Sequence, residues 1–346
     1  MAGTWTSQNK VLPGAYINVV TNEPLSIAPG DRGTVVILQE LSVGTDGAIY
    51  TITATDQAYP DNATAADKKL VNLALYNAQK VKVYKLPATH DADDITAALV
   101  ALRTEKFDTL VYPYDTEHTT EKAAIVTWIK AMRDDEGVWC TAVLANHTAD
   151  SEAIINVVQG LKTSADESLT AAEVTAWVGG ATAGANITTS NTGKTVMGTI
   201  DVAPRMTRSE METAVTAGKF IFKVDSAQNV TVVYDINSLT TTTASKGAML
   251  KKNRVIRTID GIRNDITSIF EASYIGKVNN SADGRLLLKA ALIDYFTTLQ
   301  NLGAIQEFET DDVIVEKGTA IDAVLVSANI KPVDSVEKIY ITVNLS

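Results

Sequence analysis

The sequence predicts a multidomain protein of α/β and α+β type, and three observations carry that expectation. The chain has 346 residues, well beyond the roughly 150 of an ordinary single domain, with enough length for more than one core. Between about His90 and Asn191, helix-like and strand-like stretches alternate, the pattern of a parallel sheet covered by helices. The last hundred residues change to two amphipathic helices followed by strands.

The first 30 residues read as an extended arm and connector. A Pro13-Gly14 turn leads into the short strand-like run Ala15 to Val20, and Pro24 and Pro29-Gly30 punctuate the connector. Residues 31–89 read as a small β-rich domain. β-Branched residues from Thr34 to Leu41 predict a buried strand, and Ala48 to Ala54 alternates with period two. A helix is expected near Ala65 to Gln79, and Val81 to Leu86 closes the block as a strand.

Residues 90–244 read as the α/β domain. Ile95, Ala98, Leu99 and Leu102 fall on one helical face, with acids near the helix start where they suit its dipole. Leu110 to Tyr114 reads as a strand, with Pro113 near its end. Thr120 to Arg133 reads as an amphipathic helix, Val138 to Leu144 as a strand, and Ser151 to Leu161 as another helix. Gly179 to Asn186 reads as a small-residue connector. Arg208 to Ala217 predicts a helix, and Phe220 to Val224 with Val230 to Ile236 a hairpin. The threonine run 239–244 is expected to be a domain boundary.

Residues 245–335 then form a C-terminal domain, opened by the stripe Ile256, Ile259, Ile262, Ile266 and Ile269. A second helix, Arg285 to Leu302, should stop at Gly303. The end reads as a hairpin of Ile321 to Ile330 with Val336 to Leu345. In its last strand Ile339, Ile341, Val343 and Leu345 share one face, opposite Lys338, Tyr340, Thr342 and Asn344. Both extended ends need partners. Either they pair within their own domain, or they add to the sheet of another chain.

Composition excludes several function classes. A formal charge of −11 argues against a general nucleic-acid coat, which needs a basic face. A single cysteine rules out an intrachain disulfide framework and a Cys-rich zinc site. Met1 to Lys10 is polar and leads into no apolar block, so no targeting segment is expected and the chain is expected to be cytoplasmic when made. No apolar stretch reaches the ~20 residues of a membrane span. Charge is uneven: residues 91–180 hold 16 acids against 6 bases. By contrast, Lys246, Lys251, Lys252, Arg254, Arg257 and Arg263 crowd the head of the C-terminal domain.

Motifs for chemistry are weak. Gly193-Lys194-Thr195 lacks the glycine that a phosphate loop needs five residues earlier, where Thr188 stands. His90, His118 and His147 are expected at the surface, and Cys140 as a small buried hydrophobe. The acid pairs Asp93-Asp94 and Asp311-Asp312 and the run Asp134-Asp135-Glu136 sit at helix ends or turns, where solvated acids are common. They are the candidate cation ligands. The catalytic alternative, a hydrolase, requires a pocket at the C-terminal ends of the 110–114 and 138–144 strands.

Three segments carry a family resemblance. Gln8 to Asn18 (QNKVLPGAYIN) resembles the Pro-Gly-x-Tyr-Ile opening of contractile tail sheath proteins, closest to those of PBSX-type defective prophages and Gram-positive R-type bacteriocins. Asn253 to Ile262 (NRVIRTIDGI) resembles the start of the sheath C-terminal domain, and Asn329 to Val343 its closing hairpin.

The resemblance implies a subtilisin-like α/β domain without catalytic residues, and a C-terminal domain facing an inner tube. It also implies terminal arms that add strands to neighbouring subunits. Here those arms are carried by Val11, Tyr16, Ile17 and Val19 and by Ile339, Ile341, Val343 and Leu345, with residues 336–346 as the C-terminal strand arm.

The function implied is a structural subunit that stacks in hexameric rings around the tube and contracts to drive it through a cell envelope. No enzyme activity and no cofactor are implied. The partners would be sheath neighbours, the inner tail tube protein, and baseplate and terminator proteins, with no direct nucleic acid contact and no membrane insertion. Assembly would occur in the bacterial cytoplasm, before release in a tail or tail-like particle. The basic cluster is expected to face acidic tube residues. A hydrolase or a soluble self-associating binding protein are the alternatives.

Overall fold

A computed structural model describes residue 30, residues 32–244 and residues 246–344. In chain order the first body contains β1 (Thr34–Glu40), β2 (Ile49–Thr53), α1 (Ala65–Leu75), β3 (Lys80–Leu86), α2 (Ala92–Leu102), β4 (Thr109–Tyr112), α3 (Thr119–Asp134), β5 (Thr141–Ala145) and β6 (Ile154–Val157). It continues through β7 (Gly160–Thr163), β8 (Ser168–Leu169), α4 (Ala171–Gly184), β9 (Thr199–Ala203), α5 (Arg208–Thr216), β10 (Lys219–Phe220), β11 (Phe222–Val224) and β12 (Val230–Val232).

Seven of these strands form one sheet in the order β10-β6-β5-β4-β1-β3-β2, parallel except for the edge strand β2. The period of two along each strand builds a three-layer sandwich. Val35, Ile37, Val81, Val83, Val111 and Val143 point to the face covered by α1 and α4. Val36, Leu38, Leu86, Leu110, Ala142 and Leu144 point to the face covered by α2 and α3. Both faces are buried, so these strands read as continuous apolar runs.

Local signals set the helix starts. Thr64 with Asp67, Asp91 with Asp94, Thr170 with Glu173 and Thr207 with Glu210 each form a reciprocal capping box. Asp67 also holds the β1–β2 connection by accepting from the Ser42 backbone N–H and hydroxyl, at 2.7 and 2.6 Å. Burial alone would raise its pKa. The hydrogen bonds from Ser42 and Thr64 outweigh that and hold it at about 2.

Three expectations are corrected here. The segment 31–89 is not a separate β-rich domain: β1, β2 and β3 belong to the same sheet as β4 to β6. Ser151 to Leu161 is not a helix but β6 and β7. Ile154, Ile155 and Val157 are β-branched and fit a strand buried on both faces, a pattern that periodicity alone does not separate from a buried helix turn. The Gly/Ala-rich run 179–186 is not a connector either. Most of it is the last turn and a half of α4, a helix buried nearly all round. Gly180 lies against the backbone of Ala74 in α1, and Gly184 against that of Asn77, so any side chain at either position meets main-chain atoms. Glycine is present there for close helix approach, not for flexibility.

The second body lies beyond the threonine run. It comprises α6 (Asn253–Ile269), α7 (Ala282–Asn301), β13 (Ile305–Gln306), β14 (Val313–Lys317), β15 (Val324–Ala328) and β16 (Lys331–Pro332). Ile262 of α6 and Leu288, Leu292, Tyr295, Phe296 and Leu299 of α7 share a core with Phe308 and Val313. Helix α7 gives way to Gly303, whose φ of 75° lies in the left-handed region that ends helices.

The two bodies are joined through α6. Arg133 of α3 grips Asp260 with two hydrogen bonds of 2.6 and 2.9 Å, and both side chains are buried. Burial alone would lower the Arg133 pKa, but the Asp260 charge outweighs it and raises the guanidinium. Burial pushes the Asp260 carboxyl up, against the pull of Arg133. A second buried pair, Arg257 to Asp235 at 2.8 Å, is completed by Asn253 and by the Asn191 backbone N–H. Burial would raise the Asp235 pKa too, yet Arg257 and these donors hold it below the usual carboxylate range.

Candidate assembly interface

The carboxyl ends of the sheet strands are filled by side chains. His90 is buried, contrary to the surface position expected for it, and its Nδ1 and Nε2 lie 2.7 Å from Glu40 Oε1 and from the Tyr112 hydroxyl. Both ring nitrogens are therefore engaged, and neither is turned to a serine or cysteine. His118 stacks on the His90 ring at 4.8 Å, and Tyr114 packs against both. Beside them the buried Lys122 ammonium donates to the carbonyls of Asp115 and Ala145. Burial and the nearby Lys122 hold the His147 pKa below its ordinary value.

Cys140 is enclosed at the start of β5, and burial pushes its thiol up to about 12, far from a reactive thiolate. The acid clusters are structural. Asp94 and Asp312 cap the turns that contain them, and Glu136 pairs with Arg103. Among the described residues no group of three potential ligands converges on a metal position. Gly193 sits in a tight turn with φ 75°, and the chain after it pairs with β12 rather than entering a helix.

The C-terminal segment is arranged differently. The expected hairpin of 321–330 with 336–345 does not form. Instead β14 pairs with β15 in an antiparallel ribbon, Val313 opposite Ala328 through Lys317 opposite Val324. The ribbon has two strands only, so each keeps one hydrogen-bonding edge without a strand partner among the described residues. Val313, Val315 and Val324 face the α7 core, while Ile314 and Leu325 are exposed on the outer face. β16 pairs briefly with β13 rather than with this ribbon, and 333–344 forms no strand. Ile339, Ile341 and Val343 are 75%, 79% and 75% exposed. Tyr340, between them in sequence, is exposed as well, so 338–344 carries four large apolar side chains in water. Val11, Tyr16, Ile17, Val19 and Leu345, the other arm positions, lie outside the described residues.

The basic cluster is not the free face that the sequence suggested. Lys246 pairs with Glu152, Lys251 donates to the Thr240 carbonyl, and Arg257 is buried on Asp235. Arg254 is buried and reaches Ser335 and the Gly303 carbonyl. Lys252 binds Asp334 and Glu337, and Arg263 lies over the Trp139 ring at 3.7 Å. Arg254 and Arg257, on the first turns of α6, are buried against the rest of the chain, whereas Lys246 and Arg263 keep exposed side chains.

Residues 88–238 match the phage tail sheath protein central domain, and residues 245–346 the phage tail sheath C-terminal domain. The chain belongs to the phage tail sheath family. The sheath chain is 34% identical over 261 residues to the phage-like element PBSX protein XkdK of Bacillus subtilis, a stretch covering 73% of this chain and 56% of that one. It thus spans little more than half the length of that relative. To the tail sheath protein of Clostridium phage phiCD119 it is 30% identical, covering 78% of this chain and 76% of the other.

Among solved structures, the sheath tail protein from Desulfitobacterium hafniense superposes with a TM-score of 0.83 at 30% identity, covering 95% of this chain and 99% of that one. The anti-feeding prophage helical sheath in its contracted state shares the fold, with a TM-score of 0.75 at 16% identity over 97% of this chain and all of that one. These are structural sheath proteins, and the mixed α/β fold of this sheath chain is theirs.

Sequence reasoning missed the cluster at the base of the exposed segment, where Asp334 and Glu337 meet Lys252 and the Ser190 and Thr192 hydroxyls donate to Glu337. One signal was available for Glu337. It has the same parity as Ile339, Ile341 and Val343, so a carboxylate interrupts an otherwise apolar face.

Proposed function

We propose that this chain is the repeating subunit of a contractile sheath. Copies stack as hexameric rings around an inner tube, exchange terminal strands with their neighbours, and drive the tube through a target envelope when the lattice contracts. The observation that carries this reading is the exposed apolar face of Ile339, Ile341 and Val343, present in the same molecule as a two-stranded ribbon with open edges. The ribbon is held on one face by α7, and its open edges can still accept a further strand. Membership of the sheath family supports the same reading.

The work of such a subunit is done by packing, since contact area gained on contraction sums over many copies. The inner tail tube protein, baseplate and terminator proteins are its proposed partners, and assembly is proposed to take place in the bacterial cytoplasm. Tube contact is proposed for the second body, where Lys246 and Arg263 of the basic cluster keep exposed side chains.

A chain ending at Lys338 tests the role of the arm. It keeps every described helix and strand and removes only the exposed face. The expected result is a protein with unchanged melting temperature that stays monodisperse when mixed with tube protein, where the full chain forms striated tubes under negative stain. Normal tubes from the shortened chain would count against the reading.

A further inference from the structure

We infer that the Glu337 carboxylate is the anchor that fixes the position and register of the C-terminal arm. The inference rests on the proposed function, that residues beyond it pair with another subunit. Glu337 Oε1 accepts from the Thr192 hydroxyl at 2.6 Å and the Ser190 hydroxyl at 3.1 Å, and its other oxygen meets the Lys252 ammonium. Its side chain is only 6% exposed.

Three segments converge there: the loop after α4, the residue before α6, and the arm itself. Lys252 is held in turn by Asp334 at 3.1 Å and lies 3.9 Å over the Tyr234 ring. Thr192 accepts from the Asp235 backbone N–H, so the site is continuous with the buried Arg257–Asp235 pair. One step earlier on the arm, Ser335 accepts from Arg254 at 2.8 Å, and the Val333 N–H donates to the Ala304 carbonyl.

Burial alternates along the arm root: Val333, Ser335 and Glu337 are partly covered and Asp334, Val336 and Lys338 exposed, although the Asp334 carboxylate still reaches Lys252. The same odd-numbered face continues through Ile339, Ile341 and Val343, but from there it is apolar and exposed. One face of one extended segment is thus bound within the subunit up to Glu337 and left for a partner beyond it. In a strand, a slip of one residue moves every side chain to the opposite face. An anchor at Glu337 therefore decides which face the departing strand presents, and where along the neighbour it starts. From Lys338 to Asn344 the reach is about 20 Å at ~3.3 Å per residue, so a small displacement at the root shifts the register of the whole pairing.

The test compares Glu337→Ala, Glu337→Gln, one serine inserted between Lys338 and Ile339, and two serines inserted there. Sedimentation with tube protein gives the critical concentration for assembly, and a thermal melt checks folding. The charged hydrogen bonds at this carboxylate lead to an expected rise of about tenfold for Glu337→Ala, with Glu337→Gln between it and the unaltered chain. A single inserted serine is expected to abolish ordered tubes, because it reverses the face. Two serines restore the face and are expected to recover assembly in part.

If both insertions and Glu337→Ala assemble like the unaltered chain while the chain ending at Lys338 does not, the anchor is wrong and strand exchange stands. If the chain ending at Lys338 also assembles, both fall. A Glu337→Ala chain too unstable to fold leaves the insertions as the deciding pair: equal behaviour of one and two serines overturns the inference.

Discussion

Replacing Ile341 with aspartate is expected to abolish tube formation while leaving the free subunit's melting temperature unchanged. In the free chain Ile341 is almost fully in water, and an exposed substitution of this kind changes stability by no more than about 0.5 kcal/mol. In the assembled sheath the same side chain would be covered. Burying an isoleucine contributes roughly 1.5–3 kcal/mol, all of it lost in the variant, and an unpaired carboxylate in that position costs several kcal/mol more. At about 1.4 kcal/mol per tenfold, the critical concentration should rise by at least ~100-fold. Thr342→Asp, on the opposite face, serves as the control and should assemble far better. Sedimentation and a thermal melt on the same samples separate the two effects. An Ile341→Asp chain that forms tubes at normal concentration would remove the apolar face from the account.

The second large effect concerns the joint between the two bodies. Asp260→Asn removes the charge opposite Arg133 and leaves a guanidinium buried without its counter-ion. Breaking one side of a buried ion pair costs about 3–5 kcal/mol. For a protein of this size that corresponds to a fall in melting temperature of about 4–7 °C. Arg133 keeps its hydrogen bond to the Cys140 carbonyl in the variant, so the loss is specific to the charge and the bond to α6. Replacing both partners, Arg133→Met with Asp260→Leu, should recover much of the stability, because apolar residues of similar volume need no counter-ion. A single variant melting within about 1 °C of the unaltered chain would mean that the pair does not join the bodies. The joint matters to the proposed role because force applied to one body passes to the other through α6, and a loosened subunit would yield internally before it moved its neighbours.

Much of the fold was legible in the residues, and the failures have physical causes. The helices α2, α3 and α7 were readable because each has one apolar stripe and solvent on the other side, which is what a 3.6-residue period reports, and α6 because its isoleucines keep that period although its first half is buried nearly all round. Helix α4 was misread for the opposite reason. It is buried almost all round, has no stripe, and owes its glycines to backbone contact with α1. The strand β6 was lost because burial on both faces removes alternation. Membership of β1 to β3 in the large sheet could not be read locally, since pairing such as Val35 with Thr109 joins residues far apart in sequence.

The alternation of Ile339, Ile341 and Val343 is a property of the sequence alone, and what that face pairs with belongs to the proposal. Its imagined hairpin partner was wrong, because β14 competes for β15. That part of the basic cluster is engaged within the chain could not be read from composition, because charge counts do not record direction. Arg257 faces Asp235 and Lys252 faces Glu337, partners 22 and 85 residues away in the chain.

The most direct measurement is a cryo-EM map of assembled particles at a resolution that traces the main chain. The account places Ile339 to Asn344 as an added strand along the β14–β15 ribbon of a different subunit. Ile341 would be buried in that interface, and Glu337 would remain on Lys252 of its own chain. A map in which residues 338–344 lie back on the ribbon of the subunit they belong to, or stay in solvent between well-ordered subunits, would contradict it.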